Sequence, residues 1–237
     1  MTIFKDYIDM YPVEYLTYIK YTFGSLLSWT LPTILTQAKL EKNSEIKILL
    51  GDIYQYYQKI PLKDAEFKEE TATEMGRVAD SLIRLGLYEE AEVMATNALK
   101  IDSAQKGINI TLAHALLQQK NYEKAKEAYL RDKELLNAID LGNLSYCLLF
   151  VKDFPLAESI ARKGLELDTT QHWIAVNLAA SILFQGRFDE ARELYLQFKE
   201  KLKQECLTDI EEFEKASIIP IECKTDVELI KNLLEEE

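Results

Sequence analysis

The stretch Leu85-Gly86-Leu87-Tyr88-Glu89-Glu90-Ala91 decides the fold, because its pattern comes back three more times along the chain. An aromatic residue stands at Tyr88, Tyr122, Phe154 and Phe188, and an alanine follows three positions later at Ala91, Ala125, Ala157 and Ala191. The step from each alanine to the next is nearly constant. A period in the mid-thirties, carried by apolar residues at helical spacing, means a stack of two-helix units. A small residue also precedes each copy, at Ala79, Ala113, Ser145 and Ala179. Small side chains at these columns let paired helices approach closely, and the aromatics wedge each hairpin from its turn.

Outward from this stretch, four units cover about residues 72–105, 106–137, 138–171 and 172–203. In the first, Met75, Val78, Ala79, Leu82 and Leu85 make the inner face of one helix. Gly86-Leu87 makes the turn, and Glu89 to Ile101 makes the second helix. Asp102-Ser103 and Asp168-Thr169-Thr170 read as caps between units. Neither helix of a unit can hide its apolar face alone, so neighbouring units share a continuous core.

Four blocks with this small–aromatic spacing resemble tetratricopeptide repeats over residues 72–203. Two family features are missing: the tryptophan near the unit start is replaced by Met75, Asn109, Leu141 and Ala175, and no proline closes a unit. The resemblance implies an all-α, right-handed α-solenoid whose first helices line a concave groove.

The flanking regions differ. Residues 1–70 hold 8 of the 13 tyrosines and none of the repeat signature. Pro12, Pro32 and Asn43-Ser44 divide them into expected helices at about 12–29, 32–42 and 44–60. Residues 21–38 carry no charge, a length that could span a membrane. Seven hydroxyl or amide side chains and Pro32 favour a buried hairpin or a partner-binding face instead. After residue 203, Leu207, Ile210, Phe213, Ile218 and Ile219 predict a capping helix that covers the fourth unit. A last helix, Val227 to Leu234, precedes an acidic tail.

Composition narrows the function classes. Lys and Arg number 28 against 40 Asp and Glu, a net charge of −12, and 11 acids against 4 bases fall in residues 203–237. A nucleic-acid partner needs a dense basic surface, so it is not expected. Three cysteines, Cys147, Cys206 and Cys223, make neither a disulfide framework nor a zinc motif, and point to a reducing, cytoplasmic setting. The N-terminus has no basic region followed by an apolar run, so no secretory signal peptide is expected. The two histidines, His114 and His172, lie far apart in sequence and give no metal motif. No phosphate-binding glycine loop or Gly-x-Ser-x-Gly elbow occurs. No catalytic residue, metal or cofactor is expected.

Resemblance to tetratricopeptide arrays instead places candidate partner-binding residues on the groove columns: Arg77, Arg84, His114, Asn143, Tyr146, Phe150, Trp173 and Asn177. Asn143 and Asn177 occupy the same column of successive repeats, and an amide both donates and accepts. They either hold an extended peptide or bridge neighbouring helices. Tyr146, Phe150, Trp173 and Phe184 make the apolar half, open to a partner or covered by the C-terminal helices. Members that clamp a chaperone's terminal carboxylate use lysines, an arginine and asparagines where this chain has Gly76, Asp80, Thr111 and Ile139 beside Asn143. That clamp is not expected, which leaves Arg77 and Arg84 for an acidic group.

The expected function is a protein-interaction scaffold or adaptor that takes a peptide or helix of a partner. Alternatives are a secretion or assembly chaperone, with a homodimer through residues 1–60, and an accessory subunit of a multi-protein enzyme. The recurring stretch itself is structural. Ala91→Leu should overpack the hairpin and lower stability by roughly 1–3 kcal/mol in urea unfolding.

Overall fold

The computed structural model describes residues 68–236, where the backbone forms nine α-helices and two short 3-10 turns. The expected helices at 12–29, 32–42 and 44–60, the uncharged run at 21–38 and the dimer region at 1–60 lie outside the described residues. Among the described residues no helix is long and apolar enough to cross a membrane. The described residues fall into two compact units that meet at residues 119 and 120 of the sequence.

In the first unit, α1 (Lys68–Arg84) pairs with α2 (Tyr88–Ile101), and α3 (Ile108–Gln118) packs on both. Helix α1 buries Ala72, Met75, Val78, Ala79 and Leu82, an inward face that recurs every three to four residues. Helix α2 answers with Ala91, Met94, Ala95 and Ala98. Two side-chain bonds tie this group together. Gln105 Nε2 donates to Thr73 Oγ1 at 2.9 Å, and Gln119 Nε2 donates to Glu92 at 2.9 Å.

In the second unit, α4 (Tyr122–Arg131) packs on α5 (Ala138–Phe150), which pairs with α6 (Phe154–Leu167). Helix α7 (His172–Leu183) lies against α5 and α6 and pairs with α8 (Phe188–Lys215). Every residue from Ile174 to Leu183 is buried, so α7 is the core helix of this unit. Asn137 and Asp140 form a reciprocal capping box at the start of α5, and the Asp153 side chain caps α6. Asp102 and Asp168 are the C-caps of α2 and α6, with their backbone N–H groups reaching Ala98 O and Gly164 O. Each accepts the backbone N–H two residues on, at 3.0 and 2.9 Å, and so tightens a loop between units.

The eight small positions behave as a set: Ala79, Ala113, Ser145, Ala179, Ala91, Ala125, Ala157 and Ala191 are all buried. A second recurring set lies in the turns. Gly86, Lys120, Lys152 and Gly186 take the same place in successive repeats and share a left-handed backbone, with φ of 77°, 59°, 63° and 77°. After α1, α5 and α7 the turn is closed by the N–H of Leu87, Asp153 and Arg187 reaching the carbonyl five residues back. A lysine in this conformation costs about 1–2 kcal/mol more than a glycine, so two turns carry an unfavourable residue.

Helix α8 does not stop at the end of the fourth repeat. It runs on to Lys215, with one non-helical residue at Leu202 (φ −129°, ψ 19°). Beyond it, Ser217 (φ 55°) repeats the left-handed turn, and Ile218 N–H reaches Phe213 O at 3.2 Å. Helix α9 (Lys224–Glu235) then packs on α8 through Val227, Ile230 and Leu234. Lys199 and Lys203 of α8 donate to the backbone oxygens of Glu236 and Glu235 at the end of α9.

The turn geometry is testable at Gly86. Within 4 Å, a Cβ there would meet only the Tyr88 hydroxyl, at 4.0 Å, so the cost of a side chain is purely conformational. Gly86→Ala should lower stability by about 1 kcal/mol, and Gly86→Asn by less, in urea unfolding.

Candidate protein-binding face

On the exposed side of α1, Arg77 and Arg84 are ion-paired within their own helix, to Glu74 at 2.6 Å and Asp80 at 2.9 Å. Both guanidinium side chains remain mostly in solvent, where such pairs contribute little. His114 is half-buried on α3.

In the second unit α5 and α7 stand side by side, and their closest approach is built from small groups. Gly142 leaves no room for a Cβ, because the Trp173 ring and Ile174 fill that space. Asn177 is 2% exposed, and its Nδ2 donates to Gly142 O and Ser145 Oγ, both at 3.0 Å. It bridges neighbouring helices, one of the two arrangements open to it from sequence. Asn143 lies beside the buried Tyr129 phenol. Burial chiefly, then Cys147 and Asp140, push that phenol up, and the Asn143 side chain opposes them. The two asparagines therefore share a column but not a neighbourhood. Trp173 is half-buried and donates Nε1 to Gln171 Oε1 at 3.1 Å.

Six aromatic rings gather where α5 and α7 end. Tyr122 stacks on Phe150 at 3.9 Å, and Tyr146 meets Phe150 at 5.0 Å. Phe154 meets Phe184 at 5.3 Å. The sixth ring, Phe213, comes from the C-terminal half of α8 and closes the cluster, 5.5 Å from both Phe150 and Phe184 and 6.1 Å from Tyr146. It is 1% exposed. Burying a phenylalanine is worth about 1.5–3 kcal/mol, and a ring pair adds about 0.5–1.5 kcal/mol.

Polar bonds hold this helix in place. Glu212 accepts from Lys120 Nζ at 3.0 Å and from Tyr146 Oη at 2.8 Å. Lys152 Nζ donates to Ser217 O at 3.1 Å. The two lysines that occupy unfavourable turns thus both reach the C-terminal segment. The lysine bond, followed by the tyrosine bond, holds the Glu212 carboxyl below the usual range. Burial first, then Asp209 and Glu212, push the Tyr146 phenol far up, so it stays neutral and donates. The expected capping helix therefore does more than cover the fourth unit, because its ring and acid reach Tyr146 and Phe150 of the third.

Sequence reasoning places Tyr146, Phe150 and Phe184 together but does not assign Lys120, Lys152, Asp209, Glu212 or Phe213. A signal for the lysines exists, since both stand where the other two turns carry glycine. Asp209 belongs to the same segment and lies near Tyr122, Tyr146, Tyr195 and Cys206. Burial above all, then Glu212 and Glu205, raises its carboxyl to about 7. Burial likewise lifts the Cys147 and Cys206 thiols to about 12. All three cysteines are free and buried. No group of three His, Cys, Asp or Glu that could hold a metal occurs among the described residues.

Comparison with known proteins supports the fold. A family model described as "Tetratricopeptide repeat" matches residues 82–134. Among similar solved structures is YrrB, described as "a TPR protein with an unusual peptide-binding site". The match has a TM-score of 0.52 and 15% identity, over 69% of this chain and 89% of that one. No curated protein matches the sequence.

The raised Asp209 carboxyl sets a pH dependence. The folded state holds a proton that the unfolded chain gives up near pH 4, so this group costs stability progressively as pH rises from about 4 to 7. Glu212 runs the other way, stabilising above the ordinary carboxyl range and losing that contribution in acid. Asp209→Asn should raise the melting temperature at pH 8 and leave it nearly unchanged at pH 4, read by circular dichroism.

Proposed function

We propose that this chain of tetratricopeptide repeats is a non-catalytic scaffold that docks a helix or peptide of a partner protein on the groove columns of its first helices. In the first unit Arg77, Arg84 and His114 offer cationic and polar contacts. Two solvent-exposed guanidinium groups can exchange weak intrahelical pairs for a bidentate bond to a partner carboxylate. In the second unit Tyr146, Phe150 and Trp173 supply ring surface. Asn177 bridges the helices that present those rings, and Asn143 stands in the same column of the preceding repeat.

One observation carries this reading: the α5–α7 face already binds a helix. It holds the C-terminal part of α8 by a buried ring and by bonds to Glu212 and Ser217. A preformed array loses little entropy on docking. The peptide-binding site named for the structurally similar YrrB is in keeping with this use of the architecture. The net charge of −12 speaks for a protein partner rather than nucleic acid. Three buried thiols suit a reducing, cytoplasmic setting.

Selection of peptides from a display library on the immobilised full chain, followed by calorimetry, tests the proposal. Selected peptides should bind in the micromolar range. Trp173→Ala, or Arg77→Ala with Arg84→Ala, should weaken them at least tenfold while the melting temperature moves by a few degrees at most. Failure to enrich any sequence, or affinity loss that only tracks unfolding, would overturn it.

A further inference from the structure

A cap has one task in a solenoid, to cover the apolar end of the last unit. The C-terminal part of α8 reaches further. Its Phe213 lies against Phe150 and Tyr146 of the third helix pair, and its Glu212 is held by Lys120, in the turn before α4. The segment 203–218 is also acidic, with five carboxylates against two lysines, and it meets two lysines on the face it covers. Its interior side carries Cys206, Ile210 and Phe213, all buried, at spacings of four and three. This is how an amphipathic helix lies in a groove.

Several features make the contact replaceable. Leu202 breaks the helix at the junction, so the segment joins the fourth repeat through a non-helical residue. The Lys120–Glu212 pair is largely solvated, with side chains 67% and 31% exposed. Such pairs select a partner more than they strengthen it. Within the segment itself, Asp209 lies near Tyr122, Tyr146, Tyr195, Cys206, Glu205 and Glu212, a neighbourhood of phenols, a thiol and other acids. A carboxylate so placed works against the contact.

Resting on the scaffold reading above, we propose that residues 203–218 are a resident stand-in for the partner. The true occupant is then an amphipathic helix of another protein that carries an aromatic side chain directly after an acid, with an aliphatic residue two before that acid, as Ile210, Glu212 and Phe213 do here. The partner's aromatic takes the place of Phe213 among Tyr146, Phe150 and Phe184, and its acid takes the Lys120 and Tyr146 donors. Docking requires release of the chain's own segment.

The test uses the full chain and a fluorescent peptide with the sequence of residues 203–218, followed by anisotropy. The wild type should bind it weakly, because the site is filled. The full-chain variant Glu212→Gln with Phe213→Ala should bind it at least tenfold more tightly. The same peptide with alanine at the Phe213 position should not bind, and adding Tyr146→Phe to the variant should cost affinity several-fold. Equal affinity of wild type and variant, or binding by neither, would overturn the proposal. Should the variant fail to fold, hydrogen exchange on the wild type decides. Excess peptide should speed exchange in 203–218 while α5 and α7 stay protected, and unchanged exchange would mark the segment as fixed structure. A concentration-dependent dimer by light scattering, with the peptide unbound, would make a second copy the occupant and also overturn it. Library peptides that bind without displacing the labelled peptide would sink this inference and leave the scaffold reading standing. Conversely, labelled-peptide binding with no library sequence enriched would overturn the scaffold reading and, with it, the partner named here, and would leave only a detachable segment.

Discussion

At eight places in the helix array a side chain no larger than that of serine is sealed from water: Ala79, Ala113, Ser145 and Ala179 on the first helices, Ala91, Ala125, Ala157 and Ala191 on the second. Everything else depends on how close these residues let the helix axes come. Only at short range can α5 leave space at Gly142 for the Trp173 ring, or Asn177 reach both Gly142 O and Ser145 Oγ from the next helix. Buried polar groups of this kind are tolerated because each finds a partner at once. Close packing thus sets the spacing at which the rings of the third and fourth repeats meet.

The same regularity explains what can be read from the chain and what cannot. A recurrence of aromatic and alanine once per repeat is a one-dimensional signal, and hairpins of this size follow from it by nearest-neighbour packing. The turn column is half visible, since Gly86 and Gly186 show it in the residue type while Lys120 and Lys152 show it only in the backbone. The destination of the C-terminal helix is not written in any period. Phe213 reads as one more apolar residue at helical spacing, and its place among Tyr146, Phe150 and Phe184 depends on the bend at Leu202. For the same reason Asn143 and Asn177 share a column yet have different surroundings.

Electrostatics in the second unit favours selectivity over raw strength. Glu212 is held by a lysine and a phenol, whereas Asp209, three residues earlier on the same helix, is half-buried near phenols and other acids. One carboxylate pulls the helix down onto the face and the other pushes it away. The apolar ring of Phe213 adds a contact that does not depend on either charge. Opposed charges of this kind tune which helix fits a face more than how tightly it is held.

The bend at Leu202 also has a consequence for biosynthesis. Residues 203–236 leave the ribosome after the helices that carry Tyr146, Phe150 and Phe184 are complete. At about 5–20 residues per second, that segment takes about 2–7 s to make. During that interval the nascent chain presents an uncovered aromatic surface. Whatever first meets that surface does so before the chain's own helix can compete for it.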